Sequence, residues 1–409
     1  MGLVCLASGC AHAASPPPFQ PPVLPPDLPA VVQSSLAVDT SALPKDAHPY
    51  PADASYRGLT EADCPRLAAR ASTLGNLLDQ KAQAWSPSRS TWFLRSENSS
   101  EQTRIVLQLA ADEARHRSAG DAMEAFYHLI EAEGRRALLL LGLKEVNESL
   151  MRAEELQVKG LPLPVETEVI RKQLTDLRSD EARLRITIHQ LNGRLKVLLG
   201  LSSGDYSVWP LADLRVDPEE PDIDQAVDYG LNHRPDLALL RMLAYCPDAN
   251  SLAIATQTLA VVSPLLGEAA SSPCCPWHLV RGDDCQTERV RQQLQSLLME
   301  RQRQVTEEIR QAAGVLGDRI QLVILARQKV EIEERRIREL EEKKEKGLDA
   351  EEELSTARLN LYEAQGEQLR EVVNWKIARA QLRQEQGRLL EEAPWADNVA
   401  PVAPTESAP

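Results

Sequence analysis

The tripeptide Lys159-Gly160-Leu161 returns 187 positions later as Lys346-Gly347-Leu348, each time between two long stretches of helical periodicity. The surrounding segments read VKGLPLPVE and EKGLDAEEE, so a glutamate, Glu166 or Glu353, follows each glycine at the same distance. A glycine can adopt the left-handed conformation that ends a helix, and the prolines after Gly160 cannot continue one. A chain with two such turns is constrained to build two long helical hairpins.

The periodicity supports this. Leu139, Leu143, Val146, Leu150 and Ala153 are spaced alternately by four and three, as in a coiled-coil seam. Ile309, Ala312, Leu316, Val323, Val330 and Ile337 form a second stripe. Long helices are predicted over about 101–159 and 288–346, with return helices over about 165–199 and onward from the second turn to about 390. At about 1.5 Å per residue each long helix would run roughly 90 Å. Shorter helices are predicted over Leu59–Gln80, with Thr60 as N-cap, and over Ile223–Leu243. Setting Leu59 against Ile223 aligns Ala62 with Ala226, Leu67 with Leu231 and Arg70 with Arg234. The order of elements therefore occurs twice, which reads as an internal duplication. The expected fold is all-α dominated, two duplicated antiparallel helical hairpins. The expected divisions are a tether over 1–57, a first repeat over 58–200, a linker over 201–221, a second repeat over 222–391 and a tail over 392–409.

Composition excludes some functions. The formal net charge of −15 argues against a nucleic-acid partner, which needs a basic face. No apolar run reaches the roughly 18 residues of a membrane-spanning helix. Near the start, Leu6-Ala7-Ser8-Gly9-Cys10 resembles the bacterial lipoprotein signal, whose cysteine is acylated. The basic start and most of the apolar core of such a signal are absent, so Cys10 is read either as a lipidation site or as an ordinary cysteine. Eleven prolines between Pro16 and Pro51 make that stretch an extended tether.

The chain resembles the TolC-like outer membrane efflux proteins. In that family a glycine separates two long helices, and an acidic residue, an aliphatic residue and an alanine open the return helix. Here the second half has Gly347, Glu353-Leu354, Ala357-Arg358 and Leu361. The first half has Gly160, Glu166 and Leu174, with Ile170 at the alanine position. Arg234-Pro235-Asp236-Leu237 is similar to the family's short-helix motif. The resemblance covers about 58–391 and implies a homotrimer whose helical staves form a hollow periplasmic barrel in the bacterial cell envelope. It implies tips, Lys159, Gly160, Leu161, Lys346, Gly347 and Leu348, that face a periplasmic adaptor and, through it, an inner-membrane transporter. It further implies a conduit for efflux or type I secretion with no chemistry of its own.

The chain departs from the family at the membrane barrel. Two spanning strands of about 9–11 residues each, with a turn, exceed the 84–100 gap. The 246–286 gap has the length but carries Pro264 and Cys274-Cys275-Pro276. Little or no β-barrel is therefore expected. The alternative function is a non-transporting periplasmic coiled-coil protein of the same ancestry.

Glu166 and Glu353 have a plain role, since carboxylates near a helix N-terminus are favourable by about 0.3–1 kcal/mol, and Asp349 with Glu352 fits a capping box. The resemblance adds a second role for Glu353, a ring of three carboxylates at a pore constriction. Cys274, Cys275, His278 and Cys285 do not match a zinc spacing, and neither metal nor cofactor is expected. No catalytic constellation is present, and His116, His128 and His189 read as surface or interhelical residues.

Overall fold

The computed structural model describes residues 55–84, 97–160, 166–201, 206–216, 221–245, 284–348 and 350–390. Cys10, the tether, Leu161, Asp349, Cys274, Cys275, His278 and the tail lie outside them. All described residues belong to one unit, in the order β1 (Ser55–Thr60), α1 (Asp63–Ala71), α2 (Thr73–Ala84), α3 (Glu97–Val158), α4 (Thr167–Leu198), β2 (Tyr206–Leu211), α5 (Ile223–His233), α6 (Pro235–Tyr245), α7 (Asp284–Glu345) and α8 (Glu351–Glu385). Two hairpins, α3–α4 and α7–α8, dominate, and their rising helices have 62 residues each.

The turns are built alike. Gly160 and Gly347 have φ of 65° and 77°. At the far ends of the return helices, Gly200 and Gly387 have φ of 62° and 75°. Gly200 N–H donates to Val197 O and Leu201 N–H to Lys196 O; Gly387 and Arg388 repeat this toward Gln384 and Arg383. Both helices thus end in a Schellman motif.

Three expectations about the short elements are corrected. The first helix does not start at Leu59. Residues 55–60 form β1, and Thr60 Oγ1 accepts from Asp63 N–H at 3.2 Å to start α1. Ser72 then ends α1 and caps α2, accepting from Gly75 N–H at 3.3 Å. Second, the helix expected over Ile223–Leu243 is divided at Arg234. A residue before proline is biased away from helix, and Arg234 is extended with ψ of 130°, while Pro235 opens α6. Third, the expected linker contains β2, which pairs in parallel with β1 from Ser55↔Tyr206 to Thr60↔Leu211. Asn192 of α4 fastens this ribbon, its Oδ1 accepting from Val208 N–H at 2.6 Å.

α3 lies between α4 and α8, and α8 lies between α3 and α7, so α4 and α7 form the edges of the layer. Burial from several sides explains why α3 carries enclosed alanines at 110, 111, 114, 119, 122 and 125. It also explains the predicted seam: Val146 and Ala153 are buried, whereas Leu139, Leu143 and Leu150 are half-buried. The α7 stripe is clearer, with Ile309, Leu316, Val323 and Val330 all buried. One core runs through both hairpins, joining Phe126 and Tyr127 of α3 to Trp375 of α8 and Ile309 of α7. A second core gathers Leu107, Leu240 and Leu294 where the rising helices begin.

Gly387→Ala is expected to lower stability by about 1–2 kcal/mol, the cost of a left-handed alanine. Gly193→Ala, in the interior of α4 with open space around it, should be neutral or stabilising by up to about 1 kcal/mol. Urea midpoints of the two variants would check the contrast.

Candidate functional site

The two turns lie at the same end of the molecule, because Arg152 of α3 reaches across to the start of α8. Its Nη1 donates to Glu351 Oε1 at 2.8 Å, and Lys344 Nζ, from the end of α7, lies 3.0 Å from Glu351 Oε2. Lys344's hydrogen bond, opposed by burial and aided by the charge of Lys344 and the charge and hydrogen bond of Arg152, holds the Glu351 carboxyl below its ordinary value. Deeper along the same interface, Glu145 lies near both Arg152 and Arg358, and Ser149 and Ser355 hydroxyls meet at 2.9 Å. These braces tie the hairpins together just behind the tips.

At the tips themselves Lys159, Gly160, Lys346, Gly347 and Leu348 are exposed, and Leu348 shows 59% of its surface. Glu353 is exposed and has no ion-pair partner among the described residues. With Glu351 and Glu352 it stands in the first turn of α8, whose N-cap is Ala350. Glu166, by contrast, is itself the N-cap of α4. The glutamates match in distance from their glycines but not in helical position. Pro164 stands where the second turn has Glu351, and a proline there disfavours helix at the residue before it.

Behind the tips an open groove of about 1140 Å³ runs between α4 and α8, with α3 as its floor. Ile170, Leu177 and Leu184 of α4 and Leu359 of α8 give it apolar walls, and Glu351–Glu353 stand on its rim.

The layer's edges are also distinctive. On α7, Val315, Leu322, Leu325 and Ile332 are exposed at intervals of seven, three and seven, a second seam beside the buried one. On α4, Val169, Ile186 and Val197 are exposed, the last at 80%. Sequence reasoning does not single out this second α7 stripe, although its heptad spacing is visible there.

The Arg-Pro-Asp-Leu segment forms a joint far from the tips. Arg234 donates from Nε to Asp236 Oδ1 at 3.0 Å and from Nη2 to Oδ2 at 2.9 Å. Its Nη1 reaches Glu308 of α7 and both the side chain and the carbonyl of Glu385 of α8. Arg301 of α7 also donates to Asp236. The Asp236 side chain is fully enclosed. Burial pushes its carboxyl up, but the hydrogen bond and charge of Arg234, with those of Arg301, outweigh burial and hold it below the ordinary value. His128 is half exposed beside Glu131 and Glu124, and His189 is exposed. Among the described residues no group of His, Cys, Asp and Glu is arranged to hold a metal ion, and no helix is long and apolar enough to cross a membrane.

Asp236→Asn or Arg234→Ala should cost about 3–5 kcal/mol, because each leaves a buried partner uncompensated. Arg152→Ala, whose pair is open to solvent, should cost about 1 kcal/mol or less. Asp236's contribution is present above the ordinary value of 3.8 and is lost as pH falls through its lower folded value. Acid titration of stability in wild type and Asp236→Asn should therefore differ in that limb.

No family profile matches the chain, and no curated protein matches it in sequence. Its structure is similar to several solved ones. The Campylobacter jejuni CmeC outer membrane channel is 11% identical, with 81% of this chain and 86% of that chain covered at a TM-score of 0.55. CusC, whose structure concerns folding and transmembrane channel formation, is 12% identical, with 79% and 92% covered at 0.56. The Vibrio cholerae outer membrane protein VceC is 12% identical, with 80% and 93% covered at 0.51. The chain has the TolC-like fold of these outer membrane channels, with its helical staves and, among the described residues, only two short strands.

Proposed function

We propose that this protein is one subunit of a homotrimeric conduit of the bacterial cell envelope, passing solutes within an efflux or secretion assembly. The observation that carries this reading is the pair of open edges. A layer ordered α4–α3–α8–α7 exposes Ile186 and Val197 on one side and a heptad seam of Leu322, Leu325 and Ile332 on the other. Fully burying an exposed apolar side chain gains about 1.5–3 kcal/mol, and covering these half-exposed ones gains a part of that. Copies arranged head to tail would cover α7 of one with α4 of the next, and such heterologous contacts close into a ring of three when each copy is turned by a third of a circle from the last.

In this reading the tips, Lys159–Leu161 and Lys346–Leu348, meet the periplasmic adaptor of an inner-membrane transporter. Glu353, exposed at the start of α8, places one carboxylate per copy near the mouth. An acyl chain on Cys10 would add an outer-membrane tether.

A second reading is a periplasmic interaction protein that keeps the ring and conducts nothing. It is favoured by the connection between α2 and α3. Residues 85–96 are too few for two spanning strands of about 9–11 residues each.

Leu325→Glu should reduce the mass in solution from three chains to one while changing the monomer's stability by no more than about 0.5 kcal/mol. Light scattering after size exclusion would measure this. A wild-type monomer would overturn the ring. Stepwise conductance of the wild type in planar bilayers supports the conduit, and a silent trimer supports the interaction protein.

A further inference from the structure

The joint at Arg234 holds an excess of carboxylate. Glu308 Oε2 and Glu385 Oε2 accept from the same Arg234 Nη1, at 3.1 and 2.7 Å, so two acids converge on one nitrogen. Arg301 Nη1 donates to Glu308 Oε1 at 2.7 Å, and Arg301 also serves Asp236. Two guanidinium groups thus face three carboxylates. α3 supplies the opposite wall. There Glu113 is nearly covered and accepts from Arg117 Nε at 3.0 Å. His116 has its Nδ1 enclosed without a hydrogen-bond partner among the described residues. A polar cavity of about 170 Å³ lies among these groups, several times what one water needs.

We propose that Glu385 holds a proton in this cavity, beside the Glu308 carboxylate on the same guanidinium nitrogen, and that the proton is a latch: the joint of α5 and α6 with α7 and α8 is tight with it and loosens when it leaves. With the proton bound, two cations face two anions. Without it, the two carboxylates on one guanidinium nitrogen repel each other.

The directions of titration agree. Burial pushes the Glu385 carboxyl up, Arg234 opposes this, and the neighbouring Glu308 raises it further. Glu113 is also raised, first by burial and then by Asp236. A carboxyl raised in the fold contributes stability that is full below the ordinary value of 4.5 and is lost as pH rises through its folded value. His116 is lowered to about 4, by burial and then by Arg234, so it brings no positive charge to the cavity at neutral pH. Its linkage runs the other way, with stability lost as pH falls from 6.5 toward about 4. The two effects are separated by comparing variants.

Hydrogen exchange over 235–245, corrected for intrinsic rates, would be followed from pH 5.5 to pH 8 in the full chain. Wild type is expected to open more at the alkaline end, the direction set by the raised Glu385 carboxyl. Glu385→Gln and Glu308→Gln should each reduce the dependence, leaving the part that Glu113 contributes, while residues 351–365 near the tips show none in any variant. If one variant fails to fold, the other carries the comparison. Equal pH dependence in wild type and the Gln variants would overturn the proposal. So would opening that instead increases toward the acidic end and is abolished by His116→Asn, which would assign the switch to the histidine.

Discussion

An enclosed carboxylate needs cations beside it, since removing it from water costs several kcal/mol. Asp236 has two, and the geometry of one half of the molecule depends on how they reach it. Arg234 is bidentate on Asp236 only because Pro235 keeps the residue before it extended, which turns the guanidinium back over the start of α6. From there its remaining nitrogen reaches α7 and α8, and Arg301 closes the cluster from the side of α7. The corner between two short helices thereby sets where two long ones lie. Gly387 sits against this corner, within about 3.4 Å of the Arg234 Cα for any added Cβ, so α8 ends where the corner begins.

Along the length of the layer the governing factor is residue size. Alanines on α3 let α8 approach closely, and at Gly134 an added Cβ would stand 2.3 Å from Leu369 Cδ2. Close packing in the middle of the layer contrasts with its edges, where Leu325 and Val197 face solvent. The layer is thus tight at its centre and carries exposed apolar side chains at both margins.

The hairpins are legible in the sequence because their signals are local. Heptads such as 309, 316, 323 and 330 and the glycines at 160 and 347 lie within one or two helical turns of what they determine. The β ribbon is not, because Ser55 and Tyr206 are partners separated by an entire hairpin, and a six-residue YSVWPL is indistinguishable from a connector without its partner. The division of each short helix escapes sequence reasoning where tertiary demand decides it, although Arg234-Pro235 carries the mark. The glutamates after the turns illustrate the limit of matched spacing. Glu166 and Glu353 hold the same distance from their glycines, yet one stands at the N-cap position of its helix and the other inside the first turn. The brace of Arg152 and Glu351 has no trace in sequence at all, since no local pattern selects which of many charges will meet.

The parallel pairing of β1 and β2 has a consequence for how the chain acquires its shape. The strand at Ser55–Thr60 can find Tyr206–Leu211 only after the ribosome has delivered the whole of the first hairpin. Closing so long a loop costs entropy that rises slowly with its length, and such non-local contacts form late. If α3 and α4 fold back on each other first, the loop is shortened to the distance between the hairpin's two feet. The ribbon then acts as a seal on a finished first hairpin, set before α7 and α8 are made.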